Sequence, residues 1–230
     1  MLLSLNSRFV GNVYIIQCKG RVVLGDEVKG LEAALETGAR EFPRIVVDLK
    51  EVSRLDSIAI GLLVRYAERL SKAGGGLRLA SAPPFVVNLL NMTKLSGLLQ
   101  SFPTDEDAIV SFLKQSSAEG KPEKSGPRVL VVDESPDLCV FVRTVLMQHG
   151  FDVKSTCSFR DAKILLGVDE VEYILVGHGN PELSSETMVR SLTALAPKAK
   201  AIQLDADFKI KDASEATESL LQMFRVSGAS

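Results

Sequence analysis

Two short apolar runs constrain this chain more than any other feature: Ile45-Val46-Val47-Asp48-Leu49, and Val129-Leu130-Val131-Val132 closed by Asp133. Neither alternates polar with apolar residues, so each reads as a strand buried on both faces. Helix-period stretches separate them from further apolar runs. Strands that alternate with helices build a mixed or parallel sheet covered by helices, so the fold class is α/β.

In the first half a strand is expected at Val13–Cys18, then a helix over about 26–40 with Val28, Leu31, Ala34 and Leu35 at helical spacing. The strand Ile45–Leu49 follows and ends in a turn. Ala59, Leu62, Leu63, Tyr66 and Leu70 then mark one face of a helix, which Gly74-Gly75-Gly76 closes. A strand at Leu77–Ala80, a short helix opened by Pro84, a return at Phe102 and a last helix from Asp105 to Leu113 complete this half. The second half repeats the alternation: strands at 128–133, 151–155, 173–176 and 199–204, with helices at 138–149, 159–166, 184–195 and 214–224. It is a doubly wound pattern whose crevice lies at the carboxyl ends of the strands.

Between the halves, residues 115–127 contain no aliphatic or aromatic core residue beyond Ala118, only Gly, Pro, Ser, Gln and charge. Such a stretch cannot bury a face and is expected to be a tether. The expected organisation is a first domain over 1–114, a flexible linker over 115–127 and a second domain over 128–230.

Composition narrows the function classes. Charged residues make up 24% of the chain and the net charge is −2, which leaves no basic footprint for nucleic acid. No apolar stretch approaches the roughly 20 residues that span a bilayer, and the start lacks a basic, then apolar, leader. Cys18, Cys139 and Cys157 are far apart without a C-x-x-C pair, which fits reduced thiols packed as small hydrophobes in the cytoplasm. No Gly-rich phosphate loop, nucleophile elbow or His-plus-acid constellation is present, so an enzyme and a cofactor are not expected. His149 ends a helix, where a cation suits the dipole, and His178 is expected to be a loop histidine.

Asp56 and Ser57 open the helix that carries Leu62 and Tyr66. A carboxylate or hydroxyl there can cap the helix. A serine there can also receive a phosphate, which free N–H groups and the positive end of the helix dipole would accommodate.

Gly20-Arg21-Val22, Ile45–Leu49, Leu55-Asp56-Ser57 and Gly75-Gly76-Leu77-Arg78-Leu79 resemble the STAS family, the domain of bacterial anti-sigma-factor antagonists, over about residues 5–114. The resemblance implies that Ser57 is the residue an anti-sigma kinase phosphorylates, with Asp56 the acid before it. Ile58 and Ala59 depart from the Ser/Thr-Gly that usually follows in phosphorylated members, while Gly61 agrees with the pattern.

Val129–Asp133 with Glu134, Ser135 and Pro136 resembles the first strand of two-component receiver domains, the likeness covering about residues 127–226. It implies a flavodoxin-like fold with an acidic pair, Asp133 and Glu134. The phosphoacceptor position after the third strand is Gly177, four residues before Pro181. Asp205 stands where Thr or Ser ends the fourth strand, Lys211 supplies the lysine of the fifth, and one helix between these strands has no room. The pocket of Asp133, Glu134, Gly177, Asp205 and Lys211 is therefore expected to be degenerate. No metal is expected, the weak alternative being a divalent ion on Asp133 and Glu134 with help from Asp205.

The resemblances together imply a non-enzymatic signalling protein. Its STAS domain binds an anti-sigma factor or serine kinase and is switched at Ser57, and its pseudo-receiver serves docking or homodimerisation. The alternative is an unphosphorylated STAS scaffold in a sensory complex or membrane transporter. Neither direct nucleic-acid binding nor membrane insertion is expected.

Overall fold

The end of a strand and the start of a helix are brought together at Asp56 by a sheet longer than its apolar run. A computed structural model of the protein describes residues 2–118, 126–177, 184–205, 207–208 and 212–227. The chain divides into two compact units, Met1–Ser116 and Ser117–Ser230.

In the first unit β1 (Ser4–Val10) and β2 (Val13–Val22) form an antiparallel hairpin about Gly11 and Asn12, with Gly11 at φ 59°. No strand before Val13 was expected, although Gly-Asn between two valines is a two-residue hairpin signal. Then come α1 (Asp26–Glu41), β3 (Arg44–Leu55), α2 (Ser57–Lys72), β4 (Gly76–Ala80), α3 (Pro84–Met92), β5 (Ser101–Phe102) and α4 (Asp105–Ala118). The sheet order is β5-β4-β3-β2-β1, and every pairing except β1–β2 is parallel. Helix α4 runs four residues into the stretch expected to be tether, because Gln115 to Ala118 include neither Gly nor Pro.

The core explains the choice of elements. Ile45, Val47 and Leu49 of β3 and Ile16 of β2 pack with Leu31 and Leu35 of α1 and with Ala59, Leu63, Tyr66 and Leu70 of α2. Ile15 and Val46, one residue out of phase, are buried as well, as a sheet covered on both faces requires. Behind α2 the chain turns sharply: a Cβ at Gly75 would lie 1.7 Å from the Pro43 carbonyl oxygen, so only glycine fits.

Strand β3 does not end in a turn at Leu49. It continues to Leu55 beside β2, whose residues Lys19–Val22 pair with Glu51–Leu55 after one register shift between Gln17 and Lys19 and across a second between Gly20 and Arg21. Backbone pairing and the two buried side chains of Val52 and Leu55 carry these last residues, since Lys50, Glu51, Ser53 and Arg54 are exposed.

The second unit comprises β6 (Arg128–Val132), α5 (Pro136–Gln148), β7 (Asp152–Thr156), α6 (Phe159–Val168), β8 (Tyr173–Val176), α7 (Ser185–Leu195), β9 (Lys200–Gln203) and α8 (Ala213–Val226). Its strands are parallel in the order β7-β6-β8-β9, with helices in the connections, as the doubly wound pattern requires. Phe224 of α8 is buried against Phe151 and Tyr173, with ring centroids 5.0 and 5.3 Å away. Among the described residues no α-helix stands between β9 and α8. The strand expected to supply Lys211 falls largely outside the described residues, as do Lys211 and His178. Among the described residues no helix is long and apolar enough to cross a membrane.

Candidate functional site

Asp56 is the N-cap of α2, and Ser57 is the first helical residue. The Asp56 carboxylate accepts from the backbone N–H of Ile58 at 3.1 Å and of Ala59 at 2.9 Å through Oδ1. Through Oδ2 it accepts from Leu24 N–H at 2.7 Å, which ties the loop after β2 to the helix start. One carboxylate therefore satisfies two orphan donors of the helix and one of a loop 32 residues away. Ser57 is left out of this scheme. It is exposed, and among the described residues its hydroxyl has no hydrogen-bond partner. Leu24 and Ile58, 69% and 45% exposed, flank it as an apolar rim.

Burial of the Asp56 carboxylate acts to raise its pKa, but the N–H donors of Ala59, Leu24 and Ile58, with Arg54 nearby, outweigh it and hold the group below its ordinary value. Asp56 is thus ionised and fully used as a cap. Lower on the same helix, Glu36 of α1 accepts from Arg69 at 2.6 Å and from Tyr66 at 2.9 Å, which fixes α2 against α1. These two hydrogen bonds, Arg69 first, pull the Glu36 pKa down to about 2.

In the second unit two of the residues expected to line a pocket, Asp133 and Gly177, meet and leave little space between them. Asp133 follows β6, is 4% exposed, and its Oδ1 accepts from Ser135 N–H at 2.8 Å. Ser135 in turn caps α5 through Leu138 N–H. Gly177 follows β8, and a Cβ placed there would meet Asp133 Oδ2 at 1.8 Å and its Cβ at 2.8 Å. Val132, Asp133, Cys157, Phe159, Gly177 and Met188 leave a cavity of about 10 Å³, room for about one water. Glu134 and Asp205 are exposed, and the described residues include no group of three His, Cys, Asp or Glu that could hold a metal ion. The structure therefore brings Asp133 and Gly177 together, with the exposed Glu134 also lining the cavity, and leaves Asp205 at the surface, outside it.

The cysteines depart from expectation at one position. Cys18 and Cys139 are buried, but Cys157 is only half-buried. The single proton of the Cys139 thiol has Asp133 O at 3.3 Å and Thr156 O at 3.5 Å as alternative acceptors, and a side-chain hydrogen bond with Cys157 competes with them. That bond raises the Cys139 pKa and lowers that of Cys157. Distant sequence positions gave no sign of this pairing, since the α5–β7 packing creates it. His149 caps the C-terminus of α5, its Nδ1 2.8 Å from Val145 O.

Residues 4–108 match the family model of the STAS domain. The first unit is a STAS domain. No curated protein matches the chain in sequence. Among solved structures, an anti-sigma factor antagonist from Mycobacterium paratuberculosis is 22% identical over 48% of this chain and 93% of its own, with a TM-score of 0.44. An anti-sigma-factor antagonist (STAS) domain protein from Planctomyces limnophilus is 22% identical over 46% of this chain and 97% of its own, with a TM-score of 0.40. The chemotaxis response regulator CheY4 of Vibrio cholerae is 17% identical over 44% of this chain and 98% of its own, with a TM-score of 0.36.

Within the STAS domain, Ala59 is fully buried and Ile58 exposed. The two residues that depart from the usual motif thus do different work. Ala59 packs beneath the helix start, and Ile58 changes the surface beside Ser57.

Proposed function

We propose that this protein is a non-enzymatic signalling protein whose STAS domain binds an anti-sigma factor or serine kinase and is switched by phosphorylation of Ser57. The observation that carries the reading is the division of labour at the start of α2 in a STAS domain. Asp56 does all the capping, and the exposed Ser57 hydroxyl remains available. A phosphate added there sits at the positive end of the α2 dipole, the Ile58 and Ala59 N–H groups staying with Asp56, and adds a charge of roughly −1.5 to −2 to a surface rimmed by Leu24 and Ile58. An apolar partner contact over that rim would then have to bury a dianion, so phosphorylation disfavours binding without unfolding the domain.

The second unit acts in this reading as a degenerate receiver, used for docking or dimerisation. Gly177 offers no carboxylate, and the space beside it is filled by Asp133. Phosphate control then rests on Ser57 alone.

The test is incubation of the full chain with an anti-sigma serine kinase and ATP, followed by mapping of the phosphate by mass spectrometry. Label on Ser57, absent in Ser57→Ala, is the expected result. Label on another residue, or none with any kinase from the native host, would refute the switch.

A further inference from the structure

Strands β2 and β3 leave their regular register just before the Ser57 site. Gly20 pairs with Val52, but the next residue, Arg21, pairs with Arg54, so Ser53 is the extra residue of a bulge. Ser53 Oγ donates to the Gly20 carbonyl oxygen at 3.2 Å and pins the bulge in place. Without it Arg21 would stand opposite Ser53. Bulges of this kind re-aim side chains, and this one sets two arginines opposite each other in the register.

Like charges directly opposite on neighbouring strands are destabilising. Two steps back, Lys19 pairs with Glu51 and forms a 2.6 Å ion pair, so the strand end is not uniformly basic by default. Arg21 and Arg54 are both exposed, and among the described residues neither forms a hydrogen bond or an ion pair. Arg54 also faces the Asp56 carboxylate at longer range, but that carboxylate is already saturated by three backbone donors. The domain thus sets two like charges opposite each other, offset by the Asp56 carboxylate at longer range alone, beside the exposed Leu24 and Ile58.

We propose that Arg21 and Arg54 form an anion-binding pair that takes the carboxylates of an acidic segment on a partner protein. Two neighbouring guanidinium groups, each a bidentate donor, suit carboxylates better than a single cation does. The adjoining Leu24 and Ile58 call for an apolar residue next to the acids. The inference rests on the switch reading for the identity of the surface and adds the chemistry of its partner. It also supplies a reason for the switch: a phosphate on Ser57 brings a dianion beside the same pair and competes for it from within the molecule.

The probe is a synthetic peptide of Glu-Glu-Leu repeats, titrated into the full chain at low ionic strength against its Gln-Gln-Leu counterpart. The Glu peptide should bind at least about tenfold more tightly than the Gln peptide, and Arg21→Gln with Arg54→Gln should remove about that factor. Lys29→Gln with Lys72→Gln, which removes the same charge elsewhere, should leave binding unchanged. Arg21→Gln should also raise the urea midpoint at low salt, since it relieves the repulsion. Equal binding of both peptides, equal losses in the lysine control, or a lowered urea midpoint would each overturn the proposal. Ser57→Ala should bind the peptide as wild type does. Failure of kinase labelling with peptide binding intact would therefore remove the switch and leave the anion pair standing.

Discussion

A Cβ on residue 177 would lie 1.8 Å from Oδ2 of Asp133. The position that would carry a receiver's acceptor carboxylate is thus closed by a neighbouring carboxylate, and the main chain of Gly177 is held there by N–H donation to Val132 O at 2.9 Å. Rotating the Asp133 side chain would not clear the space, because its own Cβ is also within 2.8 Å.

Gly177→Asp should therefore fail to restore an acceptor. Incubated with Mg²⁺ and acetyl phosphate, the variant should form no acyl-phosphate by mass spectrometry. It should also lose about 1–3 kcal/mol in urea unfolding, the usual cost of overpacking. A phosphorylated Asp at 177 in a stable protein would show that the pocket opens.

Asp56→Ala removes three hydrogen bonds at once, from Leu24, Ile58 and Ala59. It should cost about 1–2 kcal/mol, whereas Ser57→Ala should stay within about 0.5 kcal/mol because Ser57 caps nothing. Chemical denaturation of both variants checks the contrast, and equal losses would reassign the cap.

The Asp56 carboxylate is held below its ordinary value of 3.8. A depressed carboxyl contributes stability that is complete above the unfolded value and is lost as pH falls through the folded one. Asp56→Asn keeps a capping oxygen but cannot titrate. Its deficit relative to wild type should shrink as pH falls from about 6 to about 2.5, read from urea midpoints. A deficit that is constant across this range would count against an ionised cap.

Ser57→Asp places a fixed negative charge at the N-terminus of α2, where the dipole favours it. The urea midpoint should stay level or rise, by up to about 1 kcal/mol, and circular dichroism should be unchanged. Partners recovered with wild type from the native host should be weakened or lost with this variant.

Cys157 is half-buried, with its pKa lowered chiefly by the bond from Cys139, while burial pushes the Cys18 thiol up to about 12. Iodoacetamide should label Cys157 first in the folded protein and reach Cys18 and Cys139 only on unfolding. Peptide mapping after a timed pulse distinguishes the three.

Much of the fold was legible in residue order. Leu62, Leu63, Tyr66 and Leu70 predicted the buried face of α2, and Tyr173–Val176 predicted β8 to the residue. What periodicity missed was backbone-driven. β1 carries few buried side chains, and after Leu49 only Val52 and Leu55 of β3 are buried, so neither shows a continuous apolar pattern. At the site, Asp56 and Ser57 were visible as a helix start, but the tie from Asp56 to Leu24 depends on a loop distant in sequence.

By itself the sequence determined the α/β class, the STAS resemblance, the pairing of Asp56 with Ser57 at a helix start, and the glycine at 177. These are local matters of spacing and residue type, and a chain states them wherever its own neighbours decide. Only the tertiary structure decided that Asp56 caps and Ser57 does not, that Asp133 fills the space beside Gly177, and that Ser53 bulges to set Arg21 against Arg54. Each of these depends on which distant strand or loop arrives alongside, and such contacts are set by packing and register across the sheet.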